Sequence, residues 1–174
     1  MKKLLAGLMA AAAALATTAP AMASTEADVL AFIALIKQGG TDVVHMSNRE
    51  AKGFCIGKAG AYLLDEKTNV DALVICSDQV DLNDSNEVWE VLAHEGTHVM
   101  QACVADGTGT MFKPQFVPTM LREVRAFAPH YHELVTSKYT SDFATVELEA
   151  FWMELQEPAA VMAQFKTVCG RFLK

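Results

Sequence analysis

Residues 91–100 read Val-Leu-Ala-His-Glu-Gly-Thr-His-Val-Met, and they hold two of the five histidines in the chain. His94 and His98 stand four apart, with Glu95 beside the first. On an α-helix, positions i and i+4 share a face one turn apart. Two imidazoles so placed can grip one Zn²⁺ at about 2.0–2.1 Å each. Glu95 points about 100° round the helix axis, so it is placed to meet a water molecule beside the metal rather than the metal itself. A metal acidifies such a water to a pKa near ~7, and a neighbouring carboxylate can take its proton. The nucleophile so formed can attack a carbonyl polarised by the metal, and Glu95 can return the proton to the leaving amine. The chemistry these five residues suit is peptide hydrolysis. The plainer alternative is a helix that carries two imidazoles by coincidence. Against it, Val88, Val91, Leu92, Val99 and Cys103 form an apolar stripe, so the helix is packed. Histidines close to a core need hydrogen bonds or a metal. Gly96 costs a helix about 1 kcal/mol against alanine, a cost expected where a backbone or a ligand must come close.

The segment VLAHEGTHVMQAC resembles the active-site helix of the His-Glu-x-x-His zinc metallopeptidases, the zincins. The resemblance implies that His94 and His98 bind zinc and that Glu95 is the catalytic base. In metzincins a glycine follows the second histidine by three residues and a third histidine comes three later. Here those positions are Gln101 and Val104, so that branch does not fit. Gluzincins take their third ligand from a glutamate on a later helix, often in the pattern Glu-x-x-Ala followed by Asp. The segment VELEAFW places Glu147 three before Ala150, with Phe151 where that aspartate would stand. The chain thus resembles a minimal, single-domain, gluzincin-like metallopeptidase with His94, His98 and Glu147 around Zn²⁺. Helix geometry points to Glu147 independently. Phe143, Ala150 and Phe151 lie at −4, +3 and +4 from it, and a carboxylate on an apolar face needs a cation or a metal. Glu123 and Glu149 are the other candidates for the third ligand. Glu149 can instead hold a ligand histidine from behind. Glu123, flanked by Arg122 and Arg125, reads first as an ion-paired helix residue. His130-Tyr131-His132 could supply an oxyanion donor, but its first reading is an ordinary helix surface. His45 reads as a structural histidine, and Trp89, Trp152 and the methionines as core.

The elements that must carry these side chains follow from pattern. Ser24 or Thr25 can cap a helix with Val29, Leu30, Phe32, Ile33 and Ile36 on one stripe, ended by Gly39-Gly40. Residues 42–46 read as a strand. Residues 53–64 and 70–76 read as two more, joined as a hairpin through the polar turn DEKTN. Asp84 or Ser85 caps the helix that carries the His-Glu-x-x-His motif, expected from about Asn86 to Ala105. A loop follows over 106–118. Further helices are expected from Thr119 to a break at Pro129, from a Ser141 cap, and from Pro158. Segregated strands and helices predict an α+β domain, with a small antiparallel sheet followed by a helical part.

The remaining features set the compartment and partners. Lys2 and Lys3, the apolar run Leu4–Leu15 and Ala21-Met22-Ala23 have the layout of a secretory signal over residues 1–23. Cleavage there leaves 24–174 as one metallopeptidase domain, periplasmic or secreted. The apolar run is shorter than the roughly 20 residues that span a bilayer, so stable membrane insertion is not expected. The formal charge of −7 falls by two more without the lysines. An acidic surface repels phosphate backbones, so nucleic acid is not expected as a partner; the zincin resemblance implies a peptide or protein substrate. Four cysteines in an exported chain predict two disulfides, Cys55–Cys76 across the hairpin and Cys103–Cys169 between the metal helix and the last helix. A second function class is a non-catalytic, zinc-stabilised binding protein, in which a fourth protein ligand closes the site.

Overall fold

The computed structural model describes residues 23–104, 109–139 and 141–173. The secretory-signal reading lies outside the described residues, apart from Ala23. The capping expected of the Ser141 side chain also lies outside what is described, which for residues 141 and 142 is the backbone alone. The order is α1 (Glu26–Gln38), β1 (Asp42–Met46), β2 (Gly60–Asp65), β3 (Val70–Cys76), α2 (Ser85–Cys103), α3 (Val117–Phe127), α4 (Pro129–Ser137), α5 (Ser141–Glu154) and α6 (Pro158–Cys169), with short 3₁₀ turns at Pro114–Phe116 and Gly170–Phe172. The domain is α+β, as the segregated pattern predicts. None of its described helices is long and apolar enough to cross a membrane.

The sheet differs from the expected antiparallel one. β3 lies in the middle, and β2 pairs with it antiparallel as the hairpin requires. β1 runs parallel to β3 on the other side, so the sheet is mixed. The reason is the length of chain between β1 and β2. Residues 47–58 form a series of turns that carries the chain past the end of β3 before it doubles back. Lys52, Gly53 and Gly57 have positive φ there, so the segment read as the start of a strand coils instead, and β2 begins only at Gly60. Cys55 therefore sits in a loop rather than on a strand, yet it bonds Cys76 across a Cα–Cα distance of 5.4 Å. The loop lies over the outer face of the sheet, where Val74 and Cys76 are buried with Cys55. On the inner face Leu73 and Ile75 pack into the main core with Phe32, Leu92 and Phe165. Burial on both faces explains why β3 reads as a continuous apolar run.

Both ends of α2, the helix that carries His94 and His98, are secured. Asp84 caps α2 by accepting from the Asn86 amide. Thr25 caps α1 in a reciprocal box with Asp28. Ser24 instead donates its hydroxyl to the Ser85 carbonyl and its amide to Asn86 Oδ1, tying the two helix starts together. At the other end Cys103 bonds Cys169 of α6. A closed loop of 66 residues is worth about 4 kcal/mol in the chain-entropy account. Two disulfides fit an oxidising, extracellular location.

Gly96 has its explanation in this core rather than in a ligand. A Cβ built there would lie 2.8 Å from Phe32 Cζ and 2.9 Å from Cε1. Phe32 is fully buried, so its ring has no room to yield. Overpacking of ~1–3 kcal/mol outweighs the ~1 kcal/mol gained in helix propensity. Gly96→Ala should lower stability by up to about 2 kcal/mol on that balance, read as an earlier urea midpoint with unchanged slope.

Candidate metal centre

α2 and α5 pack against each other and carry the site. The contacts between them run in opposite directions along the chain: His94 meets Glu154, His98 meets Glu147, and Gln101 meets Val146 and Glu149. The helices are therefore antiparallel. In this register the one-turn spacing of His94 and His98 faces the seven-residue, two-turn spacing of Glu147 and Glu154.

His94, His98 and Glu147 each turn one ligand atom toward a common point, and these atoms all lie within 4.8 Å of one another. Glu147 Oε2 is 3.5 Å from His94 Nε2, and Oε1 is 3.8 Å from His98 Nε2. Two imidazole nitrogens and a carboxylate oxygen are a donor set that suits a divalent transition metal such as zinc. Among the described residues these three side chains gather here. The side chains are 16–18 % exposed.

Each imidazole is held by its other nitrogen. His94 Nδ1 is 2.6 Å from Glu154 Oε1. Glu154 also accepts from the Tyr131 hydroxyl, and Tyr131 stacks on Phe151 with ring centroids 4.2 Å apart. Phe151 in turn sets its ring edge-on to His94, 4.7 Å away. Thus the position where the gluzincin pattern has an aspartate packs on the His94 ring, and the carboxylate for that ring comes from three residues further on. His98 Nδ1 is 2.7 Å from Gln101 Oε1. Such outer partners orient a ligand ring and fix its tautomer.

Glu95 lies beside the cluster, against β2, near enough for its charge to interact with His94, His98 and Glu147. It accepts the backbone N–H of Tyr62 and is 8 % exposed. β2 is an edge strand, and its Tyr62 amide points at Glu95 rather than at β3. Gly60 permits this approach: a Cβ there would fall 2.5 Å from Val91 Cγ1 and 3.0 Å from Glu95 Cγ.

No known protein family, curated protein or solved structure matches the chain.

The electrostatics follow from burial among mixed charges. Burial raises the pKa of Glu95, opposed by the imidazoles of His94 and His98 and by the Tyr62 N–H. Burial acts against charge on His94, but its hydrogen bonds to Glu147 and Glu154 and the charges of Glu154 and Glu95 prevail and raise it to about 10. Burial also works upward on Glu147, yet the hydrogen bond from His94, the charges of His98 and His94, and the Tyr139 hydroxyl hold it below the usual range. A cation-seeking carboxylate facing two imidazoles is what a metal ion would neutralise.

The other sequence candidates sort clearly. Glu123 lies apart from the cluster, accepting from the Trp152 indole at 2.7 Å, with Arg122 4.0 Å away. Glu149 is fully buried and points to the opposite side of α5 from Glu147, where it holds Gln101. Tyr131 is more than a surface residue, since it reaches Glu154, while His130 is exposed and packs its ring on Tyr131. His45 is on β1, as the strand reading had it, and is exposed there. Two groups escaped the sequence reading. Glu154 stands two turns after Glu147 on the same stripe, a spacing visible in the chain. Tyr139, whose hydroxyl donates to Glu147, lies in a connection with no periodic signal.

Proposed function

We propose that this chain is an exported zinc metallopeptidase of gluzincin-like design, with His94, His98 and Glu147 as ligands and Glu95 as general base and acid. The observation that carries the reading is the convergence of those three ligand atoms within 4.8 Å, with Glu95 buried beside them. The zincin resemblance of the motif supports it, as does the donor set. A Zn²⁺ held there would supply Lewis acidity toward a peptide carbonyl and would acidify a water molecule.

The chain's own residues do the rest. Glu95 sits with its proton affinity raised by burial, which suits a base working near neutral pH. It takes the proton of the attacking water and delivers it to the leaving amine nitrogen. The Tyr139 O–H, which donates to Glu147, would be free to turn to a carbonyl oxygen carrying developing negative charge once a metal took up Glu147. β2 is an edge strand, and beyond the Tyr62 amide that Glu95 takes, its outer edge is where an extended peptide could add. Phe143 stands one turn before Glu147 and is 63 % exposed, a free apolar surface for a substrate side chain. The cleaved signal over residues 1–23 and a periplasmic or secreted location belong to the same proposal.

The test is metal removal. Protein purified without added metal should contain about one zinc per chain and cleave an unfolded protein substrate. A strong chelator should abolish cleavage, and added zinc should restore it. A chain that binds zinc tightly and cleaves nothing would instead be the zinc-stabilised binding protein.

A further inference from the structure

The side-chain amide of Gln101 has only one chemically acceptable orientation. One of its terminal atoms lies 2.9 Å from the Val146 carbonyl and 3.0 Å from Glu149 Oε2. Both neighbours are acceptors, so that atom must be the NH₂ donor. The other, Oε1, then faces His98 Nδ1 at 2.7 Å and can only accept. His98 must therefore carry a proton on Nδ1, and in the neutral ring the Nε2 lone pair faces Glu147. Gln101 and Glu149 are 5 % and 0 % exposed, so water does not compete for these bonds.

Glu149 also fixes a second element. Its Oε1 accepts the Phe112 amide at 2.9 Å, and its Oε2 accepts the Met111 amide at 2.9 Å. One buried carboxylate thus holds the loop before α3 and, through Gln101, a candidate ligand on α2.

We infer that Gln101 is a positioning residue of the metal centre, locked by Glu149 so that His98 is held as the Nδ1–H tautomer with Nε2 aimed at the metal. This rests on the metallopeptidase reading for its purpose, but not for its geometry. Gln101 occupies the position where metzincins have a glycine, and its role here is to orient the second histidine. Loss of such an outer partner costs ~10–100-fold in metal affinity.

The experiment compares Gln101→Leu with Gln101→Glu in the full chain, with two readouts. The first is the imidazole ¹⁵N spectrum of the metal-free protein on the alkaline side of neutrality. The second is zinc affinity by competition with a chromogenic chelator. Leucine fills the space without an acceptor, so the Nδ1–H preference of His98 should disappear and zinc affinity should fall about 10–100-fold. Glutamate can share one proton with Glu149 and still accept from His98, as neighbouring carboxyls do. Gln101→Glu should keep the tautomer and bind zinc close to the natural level. A merely structural Gln101, valued for its NH₂ bonds to Val146 and Glu149, predicts the reverse order, and that order overturns the inference. So does an Nε2–H tautomer in the natural protein, a readout that stands even if Gln101→Leu fails to fold. If the natural protein takes up no zinc, the metallopeptidase reading falls, while the tautomer still decides the role of Gln101.

Discussion

Glu95→Gln is expected to retain zinc and lose peptide hydrolysis by at least ~10²-fold, toward the upper end of the 10²–10⁴ range for general acid–base catalysis. Glutamine keeps the shape of the side chain, and its oxygen can still accept the Tyr62 N–H that Glu95 accepts now. It cannot take a proton from water or give one to an amine. The ligand set is untouched, because Glu95 faces β2 while His94, His98 and Glu147 face one another. Stability should not fall, since a neutral amide is easier to bury than a carboxylate at 8 % exposure. The measurements are zinc per chain, the thermal midpoint and the rate of cleavage of an unfolded protein. A variant with full zinc and undiminished turnover removes Glu95 from the mechanism. A variant that loses zinc places Glu95 among the ligands.

The second large effect is on metal binding. Glu147→Ala should weaken zinc by more than the ~10–100-fold that loss of an outer partner costs, because it removes one of three ligand atoms and the only carboxylate among them. Glu123→Ala is the control. Glu123 serves the Trp152 indole on the far side of α5, so its loss should leave zinc affinity unchanged. It should lower stability by about 0.5–1.5 kcal/mol for the hydrogen bond. Zinc affinity measured on both variants separates the candidates, and a larger loss for Glu123→Ala would move the third ligand. Glu147 also neutralises imidazole charge in the metal-free protein, where His94 is raised to about 10. Its removal should therefore lower the pKa of His94, visible in an NMR titration of the ring.

Much of the centre is legible along the chain. The pairing of His94 with His98 needs only the helical period, and so does the separation of Glu95 onto another face. Glu147 follows from an apolar stripe on α5 and from the gluzincin resemblance. Both disulfides follow from cysteine placement, although Cys55 reaches its partner from a loop. The α+β class follows from the segregation of strand-like and helix-like segments.

What the chain leaves open depends on which distant residues are brought into register. Glu154 and Glu149 lie on opposite sides of α5, and only the antiparallel packing of α5 on α2 decides that one backs His94 and the other backs His98 through Gln101. Gly96 shows the same division, since its cost is visible in the helix but its cause is a ring from α1. The parallel placement of β1 is set by how the chain turns between residues 47 and 58, through left-handed backbone that composition does not reveal. Local periodicity decides which side chains share a face. The packing of one face on another decides what they meet, because it depends on the fit of whole surfaces rather than on any neighbouring stretch of residues.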